Sequence, residues 1–239
     1  MNRLLRNILG DTNNNQHRAA LANNCKVFNG TTSYNTVNSF AQFEITQPIT
    51  YMFVTSGNNE AWISTRTTAT NSKGMLLFNT GVIMSKTLSA VGRLSFFATA
   101  PLKTGRNITI ISYDGSETFA GGKAYVNGKL STLGSTQNNT QGGSMITGLT
   151  NPQIQRDDNG VSFASATNIR KLQIINRVAT AAEIREAFNL GTFEGVILDA
   201  NFLLDIDFNK TGTNVPTTRA STPTYTISNF GTTSYASYY

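Results

Sequence analysis

Short apolar runs separated by turn-forming residues recur from residue 25 to residue 175, with no long stretch of helical periodicity between them. The runs are rich in Phe, Tyr, Ile, Val and Thr, which pack well on a pleated sheet. Asn, Gly and Ser fill the intervals, where turns favour them. Examples of these runs are CKVFNG, ITYMFV, GMLLFN, GRLSFFA, NITIISY and IRKLQIIN. The pattern predicts an all-β domain, either an antiparallel sandwich or a barrel.

The segment KAYVNGKL carries a specific turn signal. Asn127 and Gly128 lie between two strand-like stretches. Both central positions of a type I′ turn need a positive φ, which Asn and Gly adopt at the lowest cost. The sequence therefore predicts a β-hairpin with Asn127-Gly128 at its tip.

One segment, ATAAEIREAFNLG, departs from the β pattern. Thr180 and Glu183 have the spacing of a capping box, and Gly191 supplies a stop signal. The apolar face between them is formed by Ala181, Ile184, Ala187 and Phe188. The segment predicts one short amphipathic helix over residues 181 to 190.

Charge and composition exclude several classes of function. The formal net charge of +6 comes from 19 Lys and Arg against 13 Asp and Glu, which are scattered along the chain rather than gathered in a basic stripe. Nucleic-acid binding is therefore not expected. No apolar run is long enough to cross a membrane or to act as a signal peptide, so we expect synthesis in a reducing cytoplasm and no membrane partner.

The chain has a single cysteine, Cys25, and a single histidine, His17. This excludes a disulfide framework and a His-rich metal site, and it leaves little for Ser-His-Asp or Cys-His chemistry. Cys25 begins an apolar run, which favours a small buried side chain.

Several of these segments occur in an order that resembles the concanavalin A-like, laminin-G-like jelly-roll superfamily. The segments are Tyr113-Asp114-Gly115, the hairpin of residues 123 to 129, the loop of residues 157 to 160, and the strand and helix of residues 169 to 190. The opening run VFNG, followed by Tyr34, is also similar to the family's first strand and turn. The resemblance covers about residues 22 to 192. It implies two curved antiparallel sheets that serve mostly in glycan or protein binding and, in some branches, in glycan hydrolysis.

The expected architecture is an all-β, two-sheet antiparallel jelly-roll sandwich with one short helix in the C-terminal half. Residues 1–21 would form an N-terminal arm and polar linker, residues 22–210 the jelly-roll domain, and residues 211–239 a Thr- and Tyr-rich tail.

The segment LLDIDF near the end of this domain reads as a half-buried strand. Leu204, Ile206 and Phe208 alternate with Asp205 and Asp207, which predicts two carboxylates on a solvated face. The strand would close the sandwich or pair with a neighbouring subunit.

The carboxylates give no pattern for glycan hydrolysis. The laminarinase branch of the superfamily needs a Glu-x-Asp-x-x-Glu strand, and the chain has none. Asp205 and Asp207 would lie about 7 Å apart on one strand face and would flank no cleft. We therefore predict no catalytic residue and no enzyme activity, with glycan hydrolysis as an alternative.

Two places are candidates for ligand binding. Trp62, the single tryptophan, would be a sugar-stacking platform if it faces outward, whereas its strand-like surroundings also suit a core position. Asp157, Asp158 and Asn159 form an acidic loop of hard oxygen donors, such as Ca²⁺ prefers. Since Ca²⁺ needs six to eight oxygens and these residues also favour turns, no metal or other cofactor is expected there.

Both ends of the chain carry candidate docking residues. In the N-terminal arm these are Leu4, Leu5, Ile8 and Leu9, and in the tail they are Tyr235, Tyr238 and Tyr239. The N-terminal group forms the apolar side of a short amphipathic turn, which would dock on a neighbouring subunit or fold onto its own domain. The tail is poor in charge and rich in aromatic residues, as contact surfaces are.

These features favour a non-catalytic structural or binding module. A lectin-like jelly roll without disulfides or an export signal, with docking segments at both ends, is similar to accessory virion proteins of tailed bacteriophages, of the capsid-decoration or head-fibre type. The expected location is then the virion, and the expected partners are the major capsid protein, other virion proteins, sister subunits in a homo-oligomer and possible glycans. The alternatives are a carbohydrate-binding lectin domain and a glycan hydrolase.

Overall fold

The computed structural model describes the chain in segments. They are residues 25–38, 46–65, 74–85, 93–138, 151–157, 162–163, 166–198, 201–208, 217–218, 226–230 and 234–236. Within them the chain forms two large antiparallel sheets, a small two-stranded hairpin and one α-helix, α1 (Ala181–Leu190). The prediction of an all-β sandwich with one short helix is confirmed.

The nine-stranded sheet contains strands from the start, the middle and the end of the chain. They are β1 (Cys25–Phe28), β3 (Ile49–Ser56), β8 (Arg106–Tyr113), β9 (Gly122–Val126), β10 (Lys129–Ser131), β15 (Thr167–Ile175), β16 (Phe202–Asp207), β17 (Thr217–Thr218) and β19 (Ser234–Ala236). Its main path runs β10-β9-β8-β3-β15-β1-β19, with β16 also paired to β15 and β17 paired to β16.

The eight-stranded sheet takes the remaining long strands, in the order β11-β7-β6-β5-β4-β12-β2-β18. They are β2 (Tyr34–Asn38), β4 (Trp62–Ser64), β5 (Gly74–Phe78), β6 (Gly81–Ser85), β7 (Arg93–Ala98), β11 (Leu133–Asn138), β12 (Gln153–Ile154) and β18 (Thr226–Phe230). The small hairpin consists of β13 (Arg156–Asp157) and β14 (Ser162–Phe163).

The main core lies between the two large sheets. It is formed by alternate residues of both, among them Tyr51, Phe53 and Leu172 of the nine-stranded sheet and Leu77 and Phe96 of the eight-stranded sheet. The Tyr51 hydroxyl donates a hydrogen bond across the core to the carbonyl of Gly81. The inward-facing side chains of each strand therefore join the two layers.

Two local predictions are confirmed in detail. Asn127 and Gly128 have φ angles of 51° and 80° at the tip of the β9–β10 hairpin. The Thr180 side chain accepts a hydrogen bond from the backbone N–H of Glu183, whose carboxylate in turn accepts one from the Thr180 N–H. The helix ends at Gly191, which has a left-handed φ of 69°.

α1 and residues 193 to 197 cover the outer face of the nine-stranded sheet. A second buried cluster lies between them and the sheet, with Met52 and Ile108 from strands, Ile184 and Ala187 from α1, and Phe193 from the loop after it. Cys25 is fully buried in the same cluster, as expected from the sequence.

The expected solvated face of β16 is wrong for Asp205. Leu204, Ile206 and Phe208 are buried as predicted, but Asp205 is only 4% exposed and accepts a hydrogen bond from the buried Gln173 amide at 2.8 Å. The reason is that the chain after α1 covers this face: the side-chain amide oxygen of Gln173 accepts from the backbone N–H of Phe193.

Asp207 on the same face also forms ion pairs, with its carboxylate 3.4 Å from Lys171 Nζ and 3.6 Å from Arg170 Nη1. Both cations are buried, and Lys171 also lies 3.6 Å from the Glu194 carboxylate. The carboxylates of β16 therefore belong to a packed polar network, and β16 closes the sandwich against β15.

The C-terminal segment contributes strands to both sheets. β18 pairs with β2 along all five of its residues, and β19 pairs with β1, placing Tyr235 opposite Lys26. Both strands lie within residues 211–239, the expected tail. The N-terminal arm, with Leu4, Leu5, Ile8 and Leu9, and the end of the tail, with Tyr238 and Tyr239, lie outside the described residues.

Candidate functional site

The outer face of the eight-stranded sheet carries an apolar cluster that belongs to neither of the other two. Its members come from β4, β5, β6 and β7, and they are Trp62, Leu76, Phe78, Ile83 and Phe97. They occupy the outward positions of their strands, since the residues that alternate with them, such as Ile63 and Leu77, face the main core. We call these five residues the outer aromatic cluster.

The rings of the outer aromatic cluster form a continuous row. The Trp62 and Phe78 centroids are 5.6 Å apart, and those of Phe78 and Phe97 are 5.3 Å apart, both in edge-to-face geometry. Trp62 and Phe97 are partly exposed, and the indole N–H of Trp62 donates to the exposed Glu60 carboxylate at 3.3 Å. Of the two positions weighed for Trp62, the structure thus shows the outward-facing one.

A glycine makes room for one end of this row. Gly81 lies opposite Phe97 in the β6–β7 pairing, and a Cβ at Gly81 would lie 2.6 Å from the Phe97 ring and 2.2 Å from the Phe96 carbonyl oxygen. Any side chain at this position would displace the ring, so Gly81 fixes where Phe97 lies.

Polar side chains border the outer aromatic cluster. Thr36, Gln153 and Ser64 lie side by side on β2, β12 and β4, and Ser64 is paired with Leu76 of the cluster. The Ser64 hydroxyl donates to the buried Asp157 carboxylate at 2.8 Å. Apolar and polar groups therefore meet along β4.

Two amides beside Trp62 have unused hydrogen-bonding capacity. Gln155 has a positive φ of 66°, and its side-chain oxygen accepts from the Trp62 N–H at 2.7 Å while its own N–H donates to the Trp62 carbonyl at 3.0 Å. Its side-chain nitrogen, and the side-chain oxygen of Gln153, are buried and have no hydrogen-bond partner among the described residues. One donor and one acceptor thus remain unsatisfied at this edge, which is uncommon for buried amides.

Arg156 and Tyr34 extend the polar border towards β2. The Arg156 guanidinium lies 4.3 Å from the centroid of the Tyr34 ring, a cation–π contact that fixes the start of the small hairpin against the sheet. Arg156, Tyr34 and Gln153 are therefore held on paired strands, while Gln155 lies between β12 and β13 and is held by its two hydrogen bonds to Trp62.

The acidic loop predicted as a ligand candidate is only partly described. One Asp157 oxygen accepts from Ser64, as above, so this residue attaches β13 to β4. Asp158 and Asn159 lie outside the described residues. Within the described segments no group of three or more His, Cys, Asp or Glu could hold a metal ion, and no helix is long and apolar enough to cross a membrane.

Sequence reasoning identified Trp62 but missed its neighbours. Phe78 and Phe97 lie in the runs GMLLFN and GRLSFFA, where apolar residues occupy both parities of the strand. That continuous apolarity was a signal that these strands bury residues on both faces. Nothing comparable marks Gln153 and Gln155, because the position of an amide on a short strand depends on distant pairing.

Comparisons with known proteins support the fold. No protein-family model matches the sequence, and no curated protein matches it. Among solved structures, a proposed carbohydrate-binding protein from Bacteroides ovatus superimposes with a TM-score of 0.55 at 13% identity, over 90% of this chain and 60% of that chain. The chain thus spans less than two thirds of that protein.

Two further structures are similar over part of the chain. A heptameric SAP-like pentraxin from Limulus polyphemus has a TM-score of 0.42 at 12% identity, over 70% of this chain and 82% of that one. Domains LG4-5 of the mouse laminin α1 chain have a TM-score of 0.44 at 12% identity, over 65% and 42%. The class of fold is a jelly-roll sandwich, which is supported by the strand pairing described above and by the likeness to the Bacteroides ovatus protein.

Proposed function

We propose that this protein is a non-catalytic carbohydrate-binding module and that its sugar site is the outer aromatic cluster with the adjoining amides. The single observation that carries the proposal is that Trp62 lies outside the core, partly exposed, in a row with Phe78 and Phe97. The proposal corresponds to the lectin alternative of the sequence analysis.

The arrangement suits the two chemical sides of a sugar. The C–H face of a pyranose ring packs on an aromatic ring, and its hydroxyls need donors and acceptors at the rim. Gln153 lies opposite Ser64 and is partly exposed, so its amide lies at this rim, and the buried Gln155 amide oxygen positions the Trp62 backbone.

The proposal of a non-catalytic role rests on the state of the carboxylates. Asp205 and Asp157 are buried and accept hydrogen bonds from Gln173 and Ser64, while Asp207 forms ion pairs with Arg170 and Lys171. These three carboxylates are thus engaged by neighbouring side chains, whereas the two carboxylates of a glycosidase must flank the bound sugar. The fold shared with the proposed carbohydrate-binding protein from Bacteroides ovatus also favours binding over hydrolysis.

A glycan array probed with the full chain tests the proposal. The wild-type protein should bind a subset of glycans, and Trp62→Ala should weaken that binding at least about tenfold, equivalent to about 1.4 kcal/mol. Gln153→Ala should weaken it by a similar factor. Tyr125→Ala is the matched control, because Tyr125 is a partly buried aromatic residue on the outer face of the other sheet.

The outcomes separate the hypotheses. Loss of glycan binding in Trp62→Ala but not in Tyr125→Ala supports the site. Equal binding by the wild-type protein and all three variants would place the sugar site elsewhere, and turnover of a polysaccharide by the wild-type protein would refute the non-catalytic role.

A virion role remains a second proposal. The observation that favours it is that β18 and β19 lie at the edges of the two sheets, where their outer backbone groups could pair with a second chain. The partners would be the major capsid protein or sister subunits, with Tyr235 in the contact. Immunogold labelling of particles from the natural source would support this role if it decorates the particle surface, and unlabelled particles would contradict it.

A further inference from the structure

A cavity of about 290 Å³ lies between α1 and the outer face of the nine-stranded sheet. Its lining is mostly apolar, and the residues that matter here are Ile108, Ile110, Tyr125, Ile184, Arg185 and Phe188. It is on the opposite side of the sandwich from the outer aromatic cluster. The volume is near the lower end for ligand pockets, which are typically about 300 to 1,000 Å³.

The floor and the roof of the cavity are both fixed. Ile108 and Ile110 are 4% and 1% exposed on β8, and Ile184 is held by the capped helix above them. Because the cavity is already formed without a ligand, binding does not carry the free-energy cost of ordering its walls.

The hairpin tip closes one end of the cavity. A Cβ at Gly128 would lie 2.8 Å from the Phe188 ring, so the turn and the helix are in close contact. The turn itself is anchored because the Asn127 side chain accepts from the Ile108 N–H at 3.1 Å and donates to the side-chain oxygen of Asn107 at 3.0 Å.

One cationic side chain lines the cavity, and two more lie on the same face of the sheet. Arg185 lines the cavity and is exposed, and it forms no ion pair with the described part of the chain. Lys123 is exposed on the same face of β9 as Tyr125, two residues away, and Arg106 precedes Ile108 on the outer face of β8. The neighbouring Glu186 is exposed but, being adjacent to Arg185 in the helix, does not face it.

Apolar surface continues from the cavity to the hairpin. Leu130 lies opposite Tyr125 in the β9–β10 pairing and is 65% exposed. The site therefore combines an apolar interior, an apolar approach and a cationic rim.

We propose that this cavity binds a small amphipathic monocarboxylate that is free in solution, with its aliphatic chain between Ile110 and Ile184 and its carboxylate at Arg185. The apolar lining takes the chain, and the guanidinium takes the carboxylate in a charge-assisted pair. This inference is independent of the glycan proposal, because it concerns the other sheet.

Titration calorimetry on the full chain with acetate, butyrate, hexanoate and octanoate provides the first test. Each methylene buried in the cavity should tighten Kd by roughly fourfold until the cavity is full. Octanol, which has the same chain without the charge, should bind at least about tenfold more weakly than octanoate. Affinity that does not change with chain length would overturn the proposal.

Three variants provide the second test. Arg185→Gln should weaken octanoate binding about tenfold and leave octanol binding unchanged. Ala181→Leu, at a lining position on the exposed start of α1, should fill the cavity and weaken both ligands. Lys103→Gln, which removes an exposed cation in the loop before β8, is the control and should leave both unchanged.

The helix content of each variant, measured by circular dichroism, separates loss of the site from loss of the fold. Unchanged octanoate binding in both Arg185→Gln and Ala181→Leu would refute the site. Binding only to anionic lipid vesicles, with no binding of free octanoate, would refute a soluble carboxylate as the ligand. Retention of glycan binding by Ala181→Leu would show that the two sites are separate.

Discussion

The outer faces of the two sheets differ in how completely other parts of the described chain cover them. On the nine-stranded sheet, α1 and the loop after it cover the strands, and Phe193 is fully buried beneath them. On the eight-stranded sheet, Trp62 and Phe97 remain partly exposed in the outer aromatic cluster. One face has its apolar residues in a second core, whereas the other combines the buried Leu76, Phe78 and Ile83 with the partly exposed Trp62 and Phe97.

The amide side chains on the outer faces of the two sheets also differ, in how far they are hydrogen-bonded. Gln173, Asp205 and Thr192 are joined by hydrogen bonds under the loop after α1. Beside Trp62, by contrast, the Gln153 oxygen and the Gln155 nitrogen have no partner among the described residues. Unpaired buried atoms also occur in the described part of the nine-stranded sheet, at Thr109 Oγ1 and Thr167 Oγ1, so the contrast applies to these amides alone.

The largest expected effect comes from shortening one phenylalanine on each face. Phe193→Ala should lower the free energy of unfolding by about 3–5 kcal/mol, because it opens a cavity in a closed core. Phe97→Ala should cost about 1 kcal/mol, because its ring is already partly in water. Urea unfolding of both variants measures the difference, and equal losses would remove the distinction between the faces.

Lys26 lies in the interior between the two sheets, and its environment can be compared with that of the outer faces. This residue is fully buried, its ammonium group donates to the Asn35 side chain at 2.7 Å, and burial lowers its pKa to about 7. Between that pH and the ordinary lysine pKa, the unfolded chain holds a proton that the folded chain releases. Stability should therefore rise with pH in this window, by up to about 1.4 kcal/mol per pH unit.

Lys26→Met tests this expectation, since methionine has a similar length and no charge. The variant should be more stable than the wild type, and by the largest margin at neutral pH. This margin should shrink as pH rises towards 10, because the wild-type protein gains stability in that window. Parallel pH profiles for the two proteins would show that Lys26 does not titrate in the fold.

A smaller effect is expected from the polar network of the nine-stranded sheet. Asp205→Ala should cost about 2 kcal/mol, because it leaves the buried Gln173 amide without this acceptor. Glu60→Ala, which removes an exposed carboxylate beside Trp62, should change stability by less than about 0.5 kcal/mol. Thermal unfolding of both variants would sharpen the contrast, and a harmless Asp205→Ala would contradict it.

The smallest effect is expected at the helix that covers the nine-stranded sheet. The Arg177 guanidinium donates to the Glu183 carboxylate at 2.7 Å, and this bond, with others from Thr180, lowers the pKa of Glu183 to about 2. Its contribution is present above pH 4.5 or so and is lost as pH falls towards 2. Because both side chains are partly exposed, Glu183→Gln should cost less than about 1 kcal/mol near neutral pH and nothing at pH 2. If the unfolding curves of Glu183→Gln and the wild type coincide at both pH values, the Arg177–Glu183 pair does not contribute to stability.

The elements predicted correctly are those whose signals are local. α1 follows from Thr180, Glu183 and Gly191, and the hairpin follows from Asn127 and Gly128, because caps and tight turns depend on neighbouring residues. Alternation also placed Leu204, Ile206 and Phe208 correctly in the interior.

The predictions that failed or stayed open concern residues whose burial depends on which distant segment covers their face of the sheet. Strand alternation put Asp205 on the outer side of β16, but only the path of the chain after α1 decides that this side is buried. In the same way, the sequence around Trp62 does not say which side of β4 faces the main core. That orientation comes from pairing with β5 and β12, which no local signal encodes.

The position of β15 has a consequence for how the chain reaches this structure. β15 pairs with β3 on one side and with both β1 and β16 on the other, while β1 also pairs with β19, so that Cys25 lies opposite Ala236. During synthesis on the ribosome, the outer edge of β1 therefore stays unpaired until β19, some 200 residues later in the chain, has been made. Such high contact order predicts slow folding and a period in which that edge can pair with another nascent chain.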